Sequence, residues 1–86
     1  MLLSAELTMY PLQDDYLPII KTFIDKLHSY QEIAVDTRST ATVIQGDYEQ
    51  VMDCIRDALR WSHEQQGKAV FLVKYLPEYQ AIDTQK

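Results

Sequence analysis

The chain is poor in the residues that staple or punctuate a fold. It has one cysteine, two glycines and three prolines in 86 positions. A single Cys54 excludes an intrachain disulfide. Secreted domains of this size usually depend on such bonds, so a reducing, cytoplasmic setting is expected. So few glycines and prolines exclude collagen-like and loop-dominated architectures. Basic residues are also scarce, eight against thirteen acidic, for a net charge of -5. No two of them are adjacent. A phosphate backbone is repelled by that average field, so nucleic acid is not an expected partner. The longest apolar run is residues 69–73, far short of the roughly 20 residues a membrane helix needs. The first six residues carry no basic n-region and reach an acid at Glu6, unlike a secretory signal. No membrane attachment is expected.

What is present is an ordinary globular balance, 47% hydrophobic and 24% charged. At 10.0 kDa, surface scaling gives roughly 5,200 Å² folded against about 14,500 Å² for the open chain. That burial suits one thin core between two layers, and so one domain over residues 1–77 with a polar C-terminal tail over 78–86 that should fray.

Periodicity supplies the elements. Leu3, Ala5, Leu7 and Met9 alternate with Ser4, Glu6, Thr8 and Tyr10, a half-buried strand ended by Pro11. Asp14 or Asp15 then caps a helix over about 14–30, with Pro18 tolerated in its first turn. Tyr16, Ile19, Ile20, Phe23, Ile24 and Leu27 fall in one arc of it. Strands are expected over 32–37 and 40–45, joined by a turn at Arg38 and Ser39. Asp47 caps a second helix carrying Val51, Met52, Ile55, Ala58, Leu59 and Ser62 in one stripe, and Gly67 suits its C-terminus. A last strand runs over 68–76. The order βαββαβ predicts an α+β, ferredoxin-like two-layer sandwich: a four-stranded antiparallel sheet with the first and third strands central and both helices on one face.

The other sheet face is the informative one. Parity turns Ser4, Glu6, Thr8 and Tyr10 outward, together with Val70, Leu72 and Lys74 of the last strand. This surface is too apolar for a solvent face and too polar for a core. It reads as an oligomer face, with Thr8, Val70 and Leu72 at the contact and a ligand at its rim.

Catalytic and metal chemistry find little footing. His28 and His63 end the two helices, where imidazolium is favoured by the macrodipole. No His-x3-His or Cys-x2-Cys spacing occurs, so no metal is expected. Cys54 lies nine residues before His63, out of reach along one helix axis, and reads as a small buried hydrophobe. Asp14 and Asp15 read as helix-start acids. The metallochaperone Cys-x-x-Cys, the basic aromatic strands of RNA-recognition modules and the glycine cradle of acylphosphatases are all missing. No catalytic activity and no cofactor are expected.

The polar segment Thr37-Arg38-Ser39-Thr40-Ala41-Thr42 is different. Its hydroxyls, beside Glu6 and Tyr10, offer a stacking ring, a carboxylate and several hydrogen-bonding groups, the set a neutral aromatic heterocycle wants. The same hydroxyls also serve as ordinary β-formers.

Three landmarks carry a family likeness. Ser4-Ala5-Glu6-Leu7-Thr8-Met9-Tyr10-Pro11-Leu12, followed by Asp15-Tyr16-Leu17-Pro18-Ile19-Ile20, resembles the opening of the thiamine/hydroxymethylpyrimidine-binding (Ykof-type) domains. Ser39-Thr40 with Gly46-Asp47-Tyr48 and Val51-Met52 resembles that family's second landmark, and 70–77 its last strand. The likeness spans about residues 2–77. It implies a ferredoxin-like fold, assembly through open sheet faces, and non-catalytic binding of thiamine or its pyrimidine precursor. Some relatives carry two such domains; one copy here implies a homodimer or homotetramer. The matching ligand positions are Glu6, Tyr10, Ser39 and Thr40. On chemical grounds Glu6 would pair with the pyrimidine amino group, Tyr10 would stack, and the hydroxyls would meet ring nitrogens. The contrasting reading is an oligomeric regulatory or interaction module that binds another metabolite or a partner protein.

Overall fold

A computed structural model of the protein describes residues 1–83. Its elements run β1 (Leu2–Pro11), α1 (Tyr16–His28), β2 (Ala34–Thr37), β3 (Thr42–Asp47), α2 (Tyr48–Gln66) and β4 (Ala69–Pro77). The four strands form one antiparallel sheet in the order β2-β3-β1-β4. This is the expected βαββαβ sandwich, with the first and third strands central.

Alternation on β1 sends Leu3, Ala5, Leu7 and Met9 towards the helices, where they join Phe23 and Leu27 of α1 and Val51, Ile55 and Ala58 of α2 in one core. On β4, Phe71 lies opposite Met9 and Val73 opposite Leu7, so both face the helices as parity requires. Phe23 and Phe71 close the β4 side of this core, ring centroids 5.1 Å apart and tilted at 49°.

Helix ends follow their local chemistry, with one correction. The Asp47 carboxylate accepts the Glu49 amide at 3.2 Å and caps α2. Asp15 occupies the corresponding position before α1, but its side chain makes no capping bond. Its ψ of 71° departs from the extended value that aims a cap side chain back at the helix. Gly67 ends α2 at φ 92°, a backbone that side chains with a Cβ rarely adopt.

The β2–β3 connection is longer than the alternation suggested. The Arg38 amide donates to the Ala41 carbonyl at 2.8 Å, so 38–41 is a four-residue turn and β3 begins at Thr42. Ser39 stands in the turn as expected, and Thr40, expected to open the strand, joins it there, both exposed.

The tail departs most from expectation. Residues 78–82 do not fray; they fold back as a strap across half of the outer sheet face. Glu78 turns the chain at φ 59°, its amide donates to the Leu2 carbonyl, and its carboxylate accepts the Leu2 amide at 2.8 Å. The Ser4 hydroxyl donates to the Tyr79 carbonyl and accepts the Ala81 amide. Gln45 uses its whole side-chain amide on Ile82, accepting the backbone N–H at 2.8 Å and donating to the C=O at 3.1 Å. Val43, on the outer face and outside the helix-side core, is 1% exposed as a result. The polar character of 78–86 points to fraying because the strap is held mostly by side-chain-to-backbone bonds, and its apolar residues Tyr79, Ala81 and Ile82 are too few to signal an element. The tail expectation for 84–86 lies outside the described residues.

Candidate functional site

The strap leaves the other half of the outer face uncovered. Tyr10, Val70 and Leu72 are exposed there, and the register sets Tyr10 against Val70, Thr8 against Leu72 and Glu6 against Lys74. A hollow of about 290 Å³ is lined by Glu6, Thr8, Tyr10, Thr40, Leu72 and Lys74. Three of the four expected ligand residues thus converge: Glu6 and Tyr10 from β1, and Thr40 from the 38–41 turn. Lys74 stands 3.8 Å from the Glu6 carboxylate, a solvent-exposed pair that contributes little to stability. Glu6 remains available to an amine or amidine edge, with a ring face and a hydroxyl beside it.

Ser39 is not in this hollow. It lines a second cavity, about 190 Å³, between α1, β1 and the turn, with Met9, Ile20, Phe23, Ile24 and Thr42. Thr8, Thr40 and Ala41 line both cavities. The Thr8 hydroxyl donates to the Thr40 carbonyl at 3.3 Å, tying the shared wall to the central strand. The inner cavity has an apolar lining and a few convergent polar groups, the composition of small-molecule sites. Sequence reasoning missed its apolar residues because Ile20, Phe23 and Ile24 read as core. Periodicity reports which face a residue takes, not whether that face is fully packed.

The expected contact residues Thr8, Val70 and Leu72 share the uncovered half-face. Among the described residues, no helix is long and apolar enough to cross a membrane.

Cys54 belongs elsewhere, buried beneath Tyr30 and Asp57 on the far side of the molecule. Burial pushes its thiol up to about 11, with the Asp57 carboxylate adding to the effect. The Tyr30 phenol, hydrogen-bonded to Asp57, is also held well above its ordinary value, mainly by burial. Both groups retain protons in the native state that the unfolded chain gives up, so stability falls as pH rises. For Cys54 the stabilisation is complete below about pH 9 and is lost towards pH 11. Urea denaturation across that range should show the decline, and a shallower one in Cys54→Ala. Equal slopes in the two proteins would remove Cys54 from the account. The native thiol should also resist thiol reagents at pH 8 until the protein unfolds.

The sequence profile of the YKOF-related family matches residues 3–75. No curated protein matches the chain. A Streptococcus pneumoniae protein of solved structure is similar at TM-score 0.82 and 22% identity, over 92% of this chain and 89% of its own. A Thermotoga maritima protein described with a proposed role in thiamine biosynthesis/salvage is similar at TM-score 0.79 and 19% identity, over 94% of this chain and 86% of its own. A hypothetical protein from Methanocaldococcus jannascii is similar at 0.73 and 20%, over 98% and 87%. At these identities the structural likeness concerns the fold.

Proposed function

The chain belongs to the YKOF-related family, and on that premise we propose that it is a non-catalytic binder of thiamine or of thiamine's hydroxymethylpyrimidine moiety. The observation that carries this reading is the convergence of Glu6, Tyr10 and Thr40 on one hollow, backed across a shared wall by the Ser39 cavity. The aminopyrimidine edge meets the Glu6 carboxylate, the ring stacks on Tyr10, and Thr40 of the turn supplies a hydroxyl to a ring nitrogen. The thiamine role proposed for the Thermotoga maritima protein supports the ligand class. So does the net charge of -5, which favours a cationic ligand over an anionic one. Binding without turnover fits a part in thiamine transport, storage or salvage, and the lone thiol suits a reducing cytoplasm.

Calorimetric titration with thiamine and with hydroxymethylpyrimidine tests the proposal. Heat that saturates at a 1:1 ratio per chain is expected; no heat at millimolar ligand overturns it. Glu6→Gln keeps the shape and removes the charge, so affinity should fall about tenfold, the worth of one hydrogen bond to a charged group.

The exposed row Tyr10, Val70 and Leu72 favours a second reading, an oligomeric regulatory or interaction module. A second copy of the chain seated on that row would form a homodimer or homotetramer and close the hollow. Sedimentation velocity should then give a species larger than the monomer, reduced to monomer by Leu72→Glu. A thermal midpoint blind to thiamine, with that assembly intact, would favour the module over the binder.

A further inference from the structure

Arg38 links the strap to the turn that forms the ligand wall. Its Nη2 donates to the Ala81 carbonyl at 2.9 Å, and its Nε donates to Asp36 on β2 at 3.0 Å. The same residue opens the 38–41 turn through its own amide and lines the inner cavity beside Ser39 and Thr40. The guanidinium is thus held from two sides, by a strand residue and by a strap more than 40 positions away in sequence.

The strap is itself docked by means that can reverse. Gln45 and Ser4 bind its backbone at Tyr79, Ala81 and Ile82 through side chains, without a strand ladder. Ser4 is 0% and Gln45 7% exposed. Their polar atoms find partners in the strap, and a buried side-chain amide without partners is costly. The docked position is therefore well determined, and Glu78, bonded to Leu2 through both its amide and its carboxylate, fixes where the strap leaves the sheet.

We infer that residues 78–82 form a strap that positions Arg38, so that strap docking and ligand binding at the 38–41 turn are thermodynamically coupled. The ligand half of this inference rests on the binding function proposed above; the coupling of strap to turn does not. Arg38 is a positioning residue here. With the strap docked, the guanidinium is fixed between Asp36 and Ala81, and Ser39 and Thr40 present their hydroxyls from a turn of one shape. With the strap released, one of the two anchors is gone and the turn samples more conformations. Ligand affinity falls by the fraction of molecules that remain competent. By reciprocity, a ligand that orders the turn holds the strap down.

Ile82→Pro in the full chain is the direct test. It deletes the amide given to Gln45, yet leaves every sheet and turn residue intact. Amide hydrogen exchange is read at Ala81, in the strap, and at Arg38, whose amide closes the turn. Both should accelerate, by about tenfold or more. Acceleration at Ala81 with an unchanged Arg38 amide overturns the coupling. Placing Ile82→Pro in an Arg38→Met background supplies the second arm. There the substitution should no longer alter exchange at the turn, and a persisting effect means that another route carries it. These readouts need no ligand, so they stand apart from the thiamine titration. If thiamine binds the parent chain, Ile82→Pro should weaken it three- to tenfold. Unchanged affinity beside a loosened turn would confine the coupling to the protein and refute its ligand half.

Discussion

Replacing Phe23 by Ala is expected to destabilise the protein by about 3–5 kcal/mol, the usual cost of removing a buried aromatic ring. Phe23 is 3% exposed and stacks at a tilt on Phe71, so the substitution removes both the buried area and the ring pair that joins α1 to the edge strand β4. A domain of this size has about 5–15 kcal/mol in total, and each kilocalorie shifts its thermal midpoint by roughly 4–8 °C. The midpoint should therefore fall by at least about 12 °C, measured by calorimetry or by circular dichroism at 222 nm. Leu17, on the same helix but 67% exposed, provides the control: Leu17→Ala should stay within about 0.5 kcal/mol of the parent. A loss at Phe23 no larger than at Leu17 would mean that the helix is not packed on the sheet as described. Phe23 also lines the inner cavity, so the truncation widens the space beside Ser39. A ligand bound there should lose affinity as well as the protein losing stability, whereas a ligand confined to the outer hollow should be little affected once the comparison is made below the midpoint.

The second large effect is expected at Gly67. Its φ of 92° with ψ -156° lies in a region that is essentially closed to residues with a Cβ. Gly67→Ala should cost about 1–3 kcal/mol. A new Cβ would also meet the Gln13 amide nitrogen at 3.0 Å, but that nitrogen ends a flexible side chain and can withdraw. The two causes separate in the double variant. If backbone strain dominates, Gln13→Ala will not restore Gly67→Ala; full recovery would assign the loss to the side-chain contact. Gln13 donates to the Gln66 carbonyl, so its withdrawal loosens the clasp between the β1–α1 connection and the end of α2.

These two residues also illustrate how far a sequence can be read. Gly67 follows a helical stripe and precedes an apolar run, so its role at a helix end is local and legible. Phe23 falls in the apolar arc of α1, so its direction is legible too. What escapes local reading is the gap beside it. A cavity depends on how side chains from α1, β1 and the 38–41 turn fail to fill a volume, and no single element carries that information. The same limit explains Ser39 and Thr40. Their hydroxyls mark a polar segment in the sequence, with Ser39 legible as a turn residue, but that Thr40 also belongs to the turn and not to the strand is fixed by the Arg38–Ala41 hydrogen bond. That one bond sends Ser39 to the inner cavity and leaves Thr40 on both.

The strap is the clearest case. Residues 78–82 hold Tyr79, Ala81 and Ile82 as isolated apolar groups in a polar tail, too short a stretch to read as an element. Their order comes from Ser4 and Gln45, side chains on β1 and β3 that the sequence presents only as polar residues on an outward parity. Once the sheet brings Ser4 and Gln45 side by side, they form a buried polar pair, with the serine hydroxyl 3.1 Å from the glutamine carbonyl oxygen. That pair has hydrogen bonds left to make. The strap backbone supplies them.

The sequence by itself determined the element order, the helix-facing and outward-facing residues of β1 and β4, and the fold that follows from them. Those properties rest on period, capping and chirality, which act over a few residues at a time. The tertiary structure alone decided how the outer face is divided: one half closed by the strap over Val43, the other left open around Glu6, Tyr10 and Leu72. That division depends on hydrogen bonds between residues 37 to 77 positions apart, formed only after the sheet has put their partners in place.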